Sequence, residues 1–466
     1  MENARNKPSF GIALLTVLFL FVIIIAQVLV AGSPDIHMTL VFSIAFAVLL
    51  LLMTGTKWSS IEEGVMHGCK IATVPMMILM FIGMLIPTLI AAGTIPSLIY
   101  YGLKIINPSV FLLTAAVVCS VSSMCTGSSW TTGGTFGVAF MGISMGLGIP
   151  PALTAGAVIS GAVIGDKLSP LSDSTNLAAG VCETNLFQHI KSMLYTTVPA
   201  FIISLVIYTV LGMKYKAAAI DTSAVDTILS GLDASFNLSP VYAIVSLIPL
   251  VVIVTLALKK VSALAAMVIA SIVAMLVAML AQGYGLMEMM SYMNYGFSID
   301  TGVEAVDKLL NRGGIQAMMW TVSLGYLGLT YGGILEITGT LEALIDKMTA
   351  LTQNARNLVI THLLSSICIN IISASQYVAI IIPGRMYLPA YKKLGIRMDV
   401  ASRTCEDSGT VTSPLVPWGL CGVFFTGALG VGTLEYLPYA FLCYLTPIVA
   451  IAYAITGKFI WKEENK

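Results

Sequence analysis

The residues able to do chemistry gather in two short stretches. The first is Gly165-Asp166-Lys167-Leu168-Ser169-Pro170-Leu171-Ser172-Asp173-Ser174-Thr175-Asn176, and the second is Glu406-Asp407-Ser408-Gly409-Thr410-Val411-Thr412-Ser413-Pro414. Each combines carboxylates and hydroxyls with a proline, which breaks a helix and frees a backbone carbonyl. Such oxygens suit a small hard cation such as Na+, and broken helices supply them inside membranes. A carboxylate that holds either a proton or Na+, never both at full strength, can exchange one for the other. Asp166 is the first candidate for that role, followed by Asp173 and by Glu406 or Asp407. Ser174, Thr175 and Asn176 would add oxygens in the first stretch, and Ser408, Thr410 and Ser413 in the second. Lys167 and Arg403 are the candidate charge partners, Arg403 lying one turn before Asp407. A structural alternative has Lys167 and Asp173 marking a helix end, with Lys167 snorkelling outward. Another makes Arg403 and its neighbouring acids a plain ion pair.

Composition fixes the setting. Hydrophobic residues make up 57% of the chain and charged residues only 10%, against about 25% charged in soluble proteins. The chain is therefore an all-α polytopic membrane protein, and its zero net charge argues against a nucleic-acid partner. The eight cysteines form no C-x-x-C pair and the four histidines are scattered, so no transition-metal site or cofactor is expected. Between 105 and 165 there is no Asp, Glu, Lys or Arg. A helix over 151–164 would rise about 21 Å, short of a hydrocarbon core of about 30 Å. Asp166 would then lie within the membrane, past the helix end, where an ionisable group is a functional candidate.

The elements that must position these stretches follow from apolar runs. Spanning segments read as 10–30, 38–53, 71–92, 194–212, 240–258, 261–281, 315–337 and 436–455, and 10–30 is too long for a signal peptide. With helices at 151–165 and 398–409 this gives about ten spans. Glu62, Glu63 and His67 read as an interfacial loop. Two stretches, 108–148 and 357–393, have the length of re-entrant hairpins. Their tips are Thr126-Gly127-Ser128-Ser129 and Ser373-Ala374-Ser375-Gln376, where small residues permit a reversal and leave backbone free to face a ligand.

The landmarks repeat. Gly165-x-x-x-Ser169-Pro170-Leu171 returns as Gly409-x-x-x-Ser413-Pro414-Leu415, Gly148-Ile149 as Gly395-Ile396, and Gly93-Thr94 as Gly339-Thr340. The chain divides into two halves, 1–212 and 240–466, joined by a loop at 213–239. The broken helices span 151–176 and 398–418. The connection 144–150 is uncharged, whereas 391–397 carries Lys392, Lys393 and Arg397. By the positive-inside tendency they lie on opposite sides, so the halves are inverted and both termini are cytoplasmic. Arg5, Lys57, Lys70, Lys259 and Lys260 fit that orientation, and 213–239 and 283–300 fall outside.

The run Ile164-Gly-Asp-Lys-Leu-Ser-Pro-Leu-Ser-Asp-Ser-Thr-Asn-Leu177, with Glu406-Asp-Ser-Gly-Thr-Val-Thr-Ser-Pro-Leu-Val-Pro-Trp418 and Ser128-Ser-Trp-Thr-Thr-Gly-Gly-Thr135, resembles the NhaC-type sodium/proton antiporters. The resemblance implies a scaffold and a moving domain with two re-entrant hairpins in the wider ion-transporter superfamily. It also implies Na+/H+ exchange across the inner membrane or, as in some members, carboxylate exchange coupled to Na+ and H+. In the second case the hairpin-tip serines with Arg385 or Lys167 would hold the carboxylate. The expected partners are the bilayer, Na+ and H+, with a small carboxylate and a second copy of the chain as further candidates. An intramembrane hydrolase would need a base near Ser128 or Ser169, and no histidine is close in sequence.

Overall fold

The computed structural model describes residues 7–31, 35–215, 222–349 and 352–463. Among them the elements are helices, and a single bridge joins Ile396 to Lys462. Eight helices are long and apolar enough to cross a membrane, or up to ten if each of two bent pairs counts as one span. The bent pairs are Met398–Leu415 with Leu420–Leu429 and Thr433–Tyr439 with Phe441–Thr456. Arg5 lies outside the described residues.

At the centre, Trp58–Ala91 packs antiparallel against Ile315–Ile337. Gly64 faces Ile334, Gly68 faces Leu329 and Thr330, and Gly83 faces Gly314. A Cβ at Gly68 would stand 2.3 Å from the Leu329 carbonyl oxygen, and one at Gly333 would stand 2.5 Å from that of Gly64. Lipid tails are as apolar as leucine, so membrane helices associate through such close backbone approach rather than through apolarity. The first helix begins at Trp58, about three and a half turns before the expected 71. Glu62, Glu63 and His67 are therefore helical, not in an interfacial loop. The reason is amphipathic spacing: Ile61, Gly64 and Gly68 are buried at helical intervals while Glu62 and Glu63 face outward. His67 meets Glu336 of the partner helix at 3.2 Å.

Both hairpins form. In the first, Phe111–Thr126 turns back as Ser129–Gly146, with the Phe111 and Phe140 rings 5.9 Å apart. In the second, Ala355–Ser373 returns as Gln376–Lys393, and Ser365 Oγ meets the Tyr387 hydroxyl at 2.6 Å. The tips are built alike. Gly127 and Ala374 end the first arms with φ of +70° and +60°, and Ser128 and Ser375 cap the second arms. The other paired landmarks also match locally. Ile149 N donates to Ser144 O and Ile396 N to Tyr391 O, closing the same helix-ending motif around Gly148 and Gly395. Gly93 and Gly339 both have left-handed backbone, and each opens a helix, Thr94–Ile105 or Thr340–Thr349.

The stretches expected as loops outside the membrane carry helices. Thr222–Ser235 occupies most of 213–239, while Leu286–Tyr295 falls within 283–300 and Glu304–Leu310 just beyond it. Ile228, Leu232, Phe236, Phe297, Val306 and Leu309 bury together there, so short amphipathic helices cap one end of the bundle. Lys216 and Asp221 lie outside the described residues.

The Gly68 contact makes a direct prediction. Gly68→Leu should lower the thermal midpoint in detergent by an amount equal to about 1–3 kcal/mol or more, because the neighbour is backbone and cannot give way. Gly180→Ala, with nothing within 4 Å of its added Cβ, should hold or raise that midpoint.

Candidate functional site

The helix Pro151–Leu168 continues past Gly165. Asp166 and Lys167 therefore sit in its last turn rather than beyond its end, as the sequence had suggested. The break comes where Pro170 must, since its ring excludes the i−4 bond to the Asp166 carbonyl. Ser169 N takes that carbonyl instead, at 3.0 Å. Gly161 and Gly165 let this helix lie backbone to backbone on Phe111–Thr126, with Ala116 O and Ser120 O 2.1 and 2.3 Å from where Cβ atoms would be.

That contact brings Asp166 to the first hairpin tip. Its Oδ2 accepts from Ser129 N at 3.1 Å and Ser129 Oγ at 2.7 Å. Ser128 caps the same helix end by accepting from Thr131 N at 3.1 Å. Early amide donors of a helix have no partner within it and favour negative charge. Asp173 and Asn176 are exposed at the cavity rim, while Ser174 and Thr175 are buried. Thr175 and Asn176 hold the break itself. Thr175 Oγ1 donates to Lys167 O at 2.9 Å, and Asn176 Nδ2 donates to Pro170 O at 3.0 Å and Ser172 O at 2.7 Å.

The second stretch is wound differently. Met398–Cys405 passes into a π-helical turn at Glu406–Thr410 before Ser413–Leu415 ends it. Such widened turns are rare and concentrate at functional sites. Glu406 is fully buried, and both of its carboxylate oxygens lack a hydrogen-bond partner. So do Asn370 Oδ1, Thr410 Oγ1 and Ser413 Oγ. Asn370, in the second hairpin's first arm, clamps the turn by donating from Nδ2 to Gly409 O at 2.8 Å and Thr412 Oγ1 at 3.0 Å. Buried oxygens left without donors cost free energy, and Glu406 is the acid among these. Asn370 was missed in the sequence, although an amide between Ile369 and Ile371 was the available signal. Ser408 is turned away, its Oγ donating to Thr404 O at 2.6 Å.

The two breaks meet through charge. Lys167, fully buried, donates from Nζ to Asp407 Oδ1. It neither snorkels outward nor pairs with the adjacent Asp166, because the last helical turn aims it at the other half. Thr196 Oγ1 donates to the same Asp407 oxygen at 2.9 Å, and Arg403 Nε stands 3.9 Å from Oδ2. Arg403 also donates to Phe459 O at 3.0 Å and lies over the Trp461 ring. Arg385 is on an exposed face and lines no part of the cavity.

A cavity of about 710 Å³ opens beside Asp166. Ser128 and Ser129 of the first tip and Gln376 of the second line it, with Lys260 and Ser262 from a neighbouring connection. Ser373 and Ser375 stay behind the second tip, where Ser375 N donates to Ser373 Oγ at 3.3 Å.

Two interrupted helices facing each other in a helical membrane protein, with the carboxylates of the first turned toward a cavity lined by both hairpin tips, define a carrier-type membrane protein. The family model described as "Na+/H+ antiporter family" matches residues 4–175 and 161–458. The chain belongs to the Na+/H+ antiporter family. It is 36% identical over 462 residues to the Na(+)/H(+) antiporter NhaC of Alkalihalophilus pseudofirmus, covering 99% of this chain and 98% of that one. It is 37% identical over 465 residues to the Malate-2H(+)/Na(+)-lactate antiporter of Bacillus subtilis, covering 100% and 98%. Identity to the Na(+)/H(+) antiporter NhaC of Bacillus subtilis is 36% over 457 residues, covering 98% and 100%.

Removing one partner of the buried pair leaves a charge without its counterion. Asp407→Asn should destabilise the protein by about 3–5 kcal/mol, whereas the joint Lys167→Met, Asp407→Leu replacement should recover most of that loss. Thermal midpoints in detergent read both.

Proposed function

We propose that the protein exchanges Na+ for H+ across the cytoplasmic membrane by alternating access. The observation that carries this reading is the group of buried oxygens around Glu406 that no protein donor satisfies, set across the paired breaks from Asp166. Na+ enters the cavity, loses water to Asp166 and the Ser129 tip, and is drawn on by Glu406, Asn370, Thr410 and Ser413. Protons compete for the same carboxylates, so loading with one ion releases the other. Asp173 and Ser174 shape the entrance. No cofactor takes part.

The halves 1–212 and 240–466 are inverted repeats with the hairpin tips ending inside the membrane. Two features support this: the matched tips and the antiparallel central pair. The cavity opens beside Lys260, so this state faces the cytoplasm by the positive-inside tendency, and both termini lie on that side. A second reading, exchange of a small carboxylate with Na+ and H+, is favoured by one observation. The cavity is far larger than Na+ needs, and a hydroxyl-bearing tip and Lys260 line it. A relative 37% identical over the full chain carries malate and lactate in its name.

The test is Na+ and proton flux in proteoliposomes, with and without malate or lactate. Asp166→Asn should reduce exchange to the level of empty liposomes while the protein still purifies as a monodisperse species. Because Na+ binding requires the ionised carboxylate, the apparent KM for Na+ should fall as pH rises, by up to about tenfold per unit for one competing proton. Exchange by Asp166→Asn with an unchanged pH profile would move the coupling role to Glu406 or Asp407. Flux that appears only with a carboxylate present would favour the second reading.

Orientation has its own check. Single cysteines at Met145 and Leu394, in a background without other cysteines, should react with an impermeant thiol reagent from opposite sides of the membrane. Reaction of both from one side contradicts inverted halves.

A further inference from the structure

A second cavity, also of about 710 Å³, lies away from Asp166 at the far end of the broken helix. Pro151 lines this cavity and Asp166 the first, and the helix between them rises about 22 Å. The stack of Trp130 on Phe424 at 4.4 Å divides the two. Trp130 lines the first cavity, and Thr426, just past Phe424, lines the second.

The lining of the far cavity includes two cations, Lys308 and Arg312, and no acid. Lys308 is already paired with Glu304 at 2.6 Å. Arg312 belongs to no ion pair among the described residues. Its Nη2 donates to Ala428 O at 3.2 Å, but a guanidinium carries five N–H donors. The others are left to whatever fills the cavity. Arg312 is half-buried, and burial alone draws its guanidinium below the ordinary value, with no neighbouring acid to offset it.

The loop holds Arg312 in place. Arg312 O accepts from Phe297 N at 3.1 Å. Asn311 accepts from Ile299 N at 2.7 Å and donates to Ile299 O at 2.9 Å. Just beyond, Gly314 N donates to Gly83 O at 2.6 Å and ties the loop to the central helix pair. A loop ordered beforehand has less freedom to lose when a ligand binds. Thr321 and Thr426 add hydroxyls to the lining, while Ile86, Met318 and Leu429 supply apolar surface.

We propose that Arg312 anchors a small organic carboxylate in this far cavity, across the Trp130–Phe424 stack from Asp166. A planar guanidinium matches the two oxygens of a carboxylate through paired N–H donors. Apolar walls with a few polar groups suit an organic body better than a hydrated inorganic anion. The carboxylate gives Arg312 the counterion that the protein does not supply. This goes beyond Na+/H+ exchange, and the site is distinct from the hairpin tip and Lys260 of the first cavity.

Isothermal titration of the detergent-purified full chain with succinate and with acetate, in chloride buffer, tests the proposal. Wild type should bind at least one of them saturably. Arg312→Gln should bind at least tenfold more weakly, Arg312→Lys should fall between, and Lys260→Gln should stay within twofold of wild type. Ala317→Phe, which fills the cavity from its wall, should also weaken binding at least tenfold, and it decides by the same titration if Arg312→Gln does not fold. A wild type that binds neither acid overturns the proposal. So does undiminished affinity in Arg312→Gln, loss of binding in Lys260→Gln, or sulfate binding as tightly as the carboxylates. Na+-driven proton flux measured without any carboxylate tests the exchange reading separately, so failure of one is told from failure of the other.

Discussion

The structure depends on placing a buried lysine against a buried aspartate, each from a different half. An isolated ammonium or carboxylate in a bilayer interior costs several kcal/mol even after relaxation. Lys167 and Asp407 are tolerable only together, and only while the two broken helices hold their ends within hydrogen-bonding distance. Thr196 adds a donor to the same oxygen, and Arg403 supplies a second positive charge nearby. The pair therefore sets the register of one break against the other. Any ion or proton that alters the charge on either residue changes the free energy of that register.

The surrounding scaffold exists to make this approach possible without lipid-exposed polar backbone. Glycines do most of that work, because a Cβ at Gly68, Gly161, Gly165 or Gly333 would collide with a neighbouring carbonyl. Irregular backbone at Ser413–Leu415 is packed in protein and that at Ser169–Leu171 borders the cavity, the two conditions under which membranes accept it. The hairpin tips complete the enclosure. Trp130 of the first stacks on Phe424 at 4.4 Å, and Trp418 donates to Ile371 O in the second at 2.7 Å.

Scaffold symmetry does not extend to the chemistry. Asp166 follows its glycine and is satisfied by a hairpin amide and hydroxyl, whereas Glu406 precedes its glycine and is left without donors. One break ends as an ordinary helix terminus and the other widens into a π turn. The same architecture thus holds one carboxylate in hydrogen bonds from a hairpin tip and leaves the other buried among polar oxygens without partners.

The amino-acid sequence by itself determined the membrane class, both hairpins, both breaks and the repetition of landmarks. Those features follow from local rules: apolar length, glycine where φ is positive, and proline where a helix must stop. Asp166, Glu406 and Asp407 were legible as site candidates because ionisable residues are rare in apolar segments. The helical start at Trp58 and the helix Thr222–Ser235 were not read correctly, since short amphipathic patterns resemble polar loops until their buried face is known. Only the tertiary structure decided the partners. Whether Lys167 would turn toward Asp166, toward solvent or toward Asp407 depends on side chains far apart in the sequence. That Asn370 reaches Gly409, and that Ser408 turns back on its own helix, depends likewise on how the halves pack. Long-range electrostatics and backbone approach belong to the assembled fold, and no stretch of residues encodes them locally.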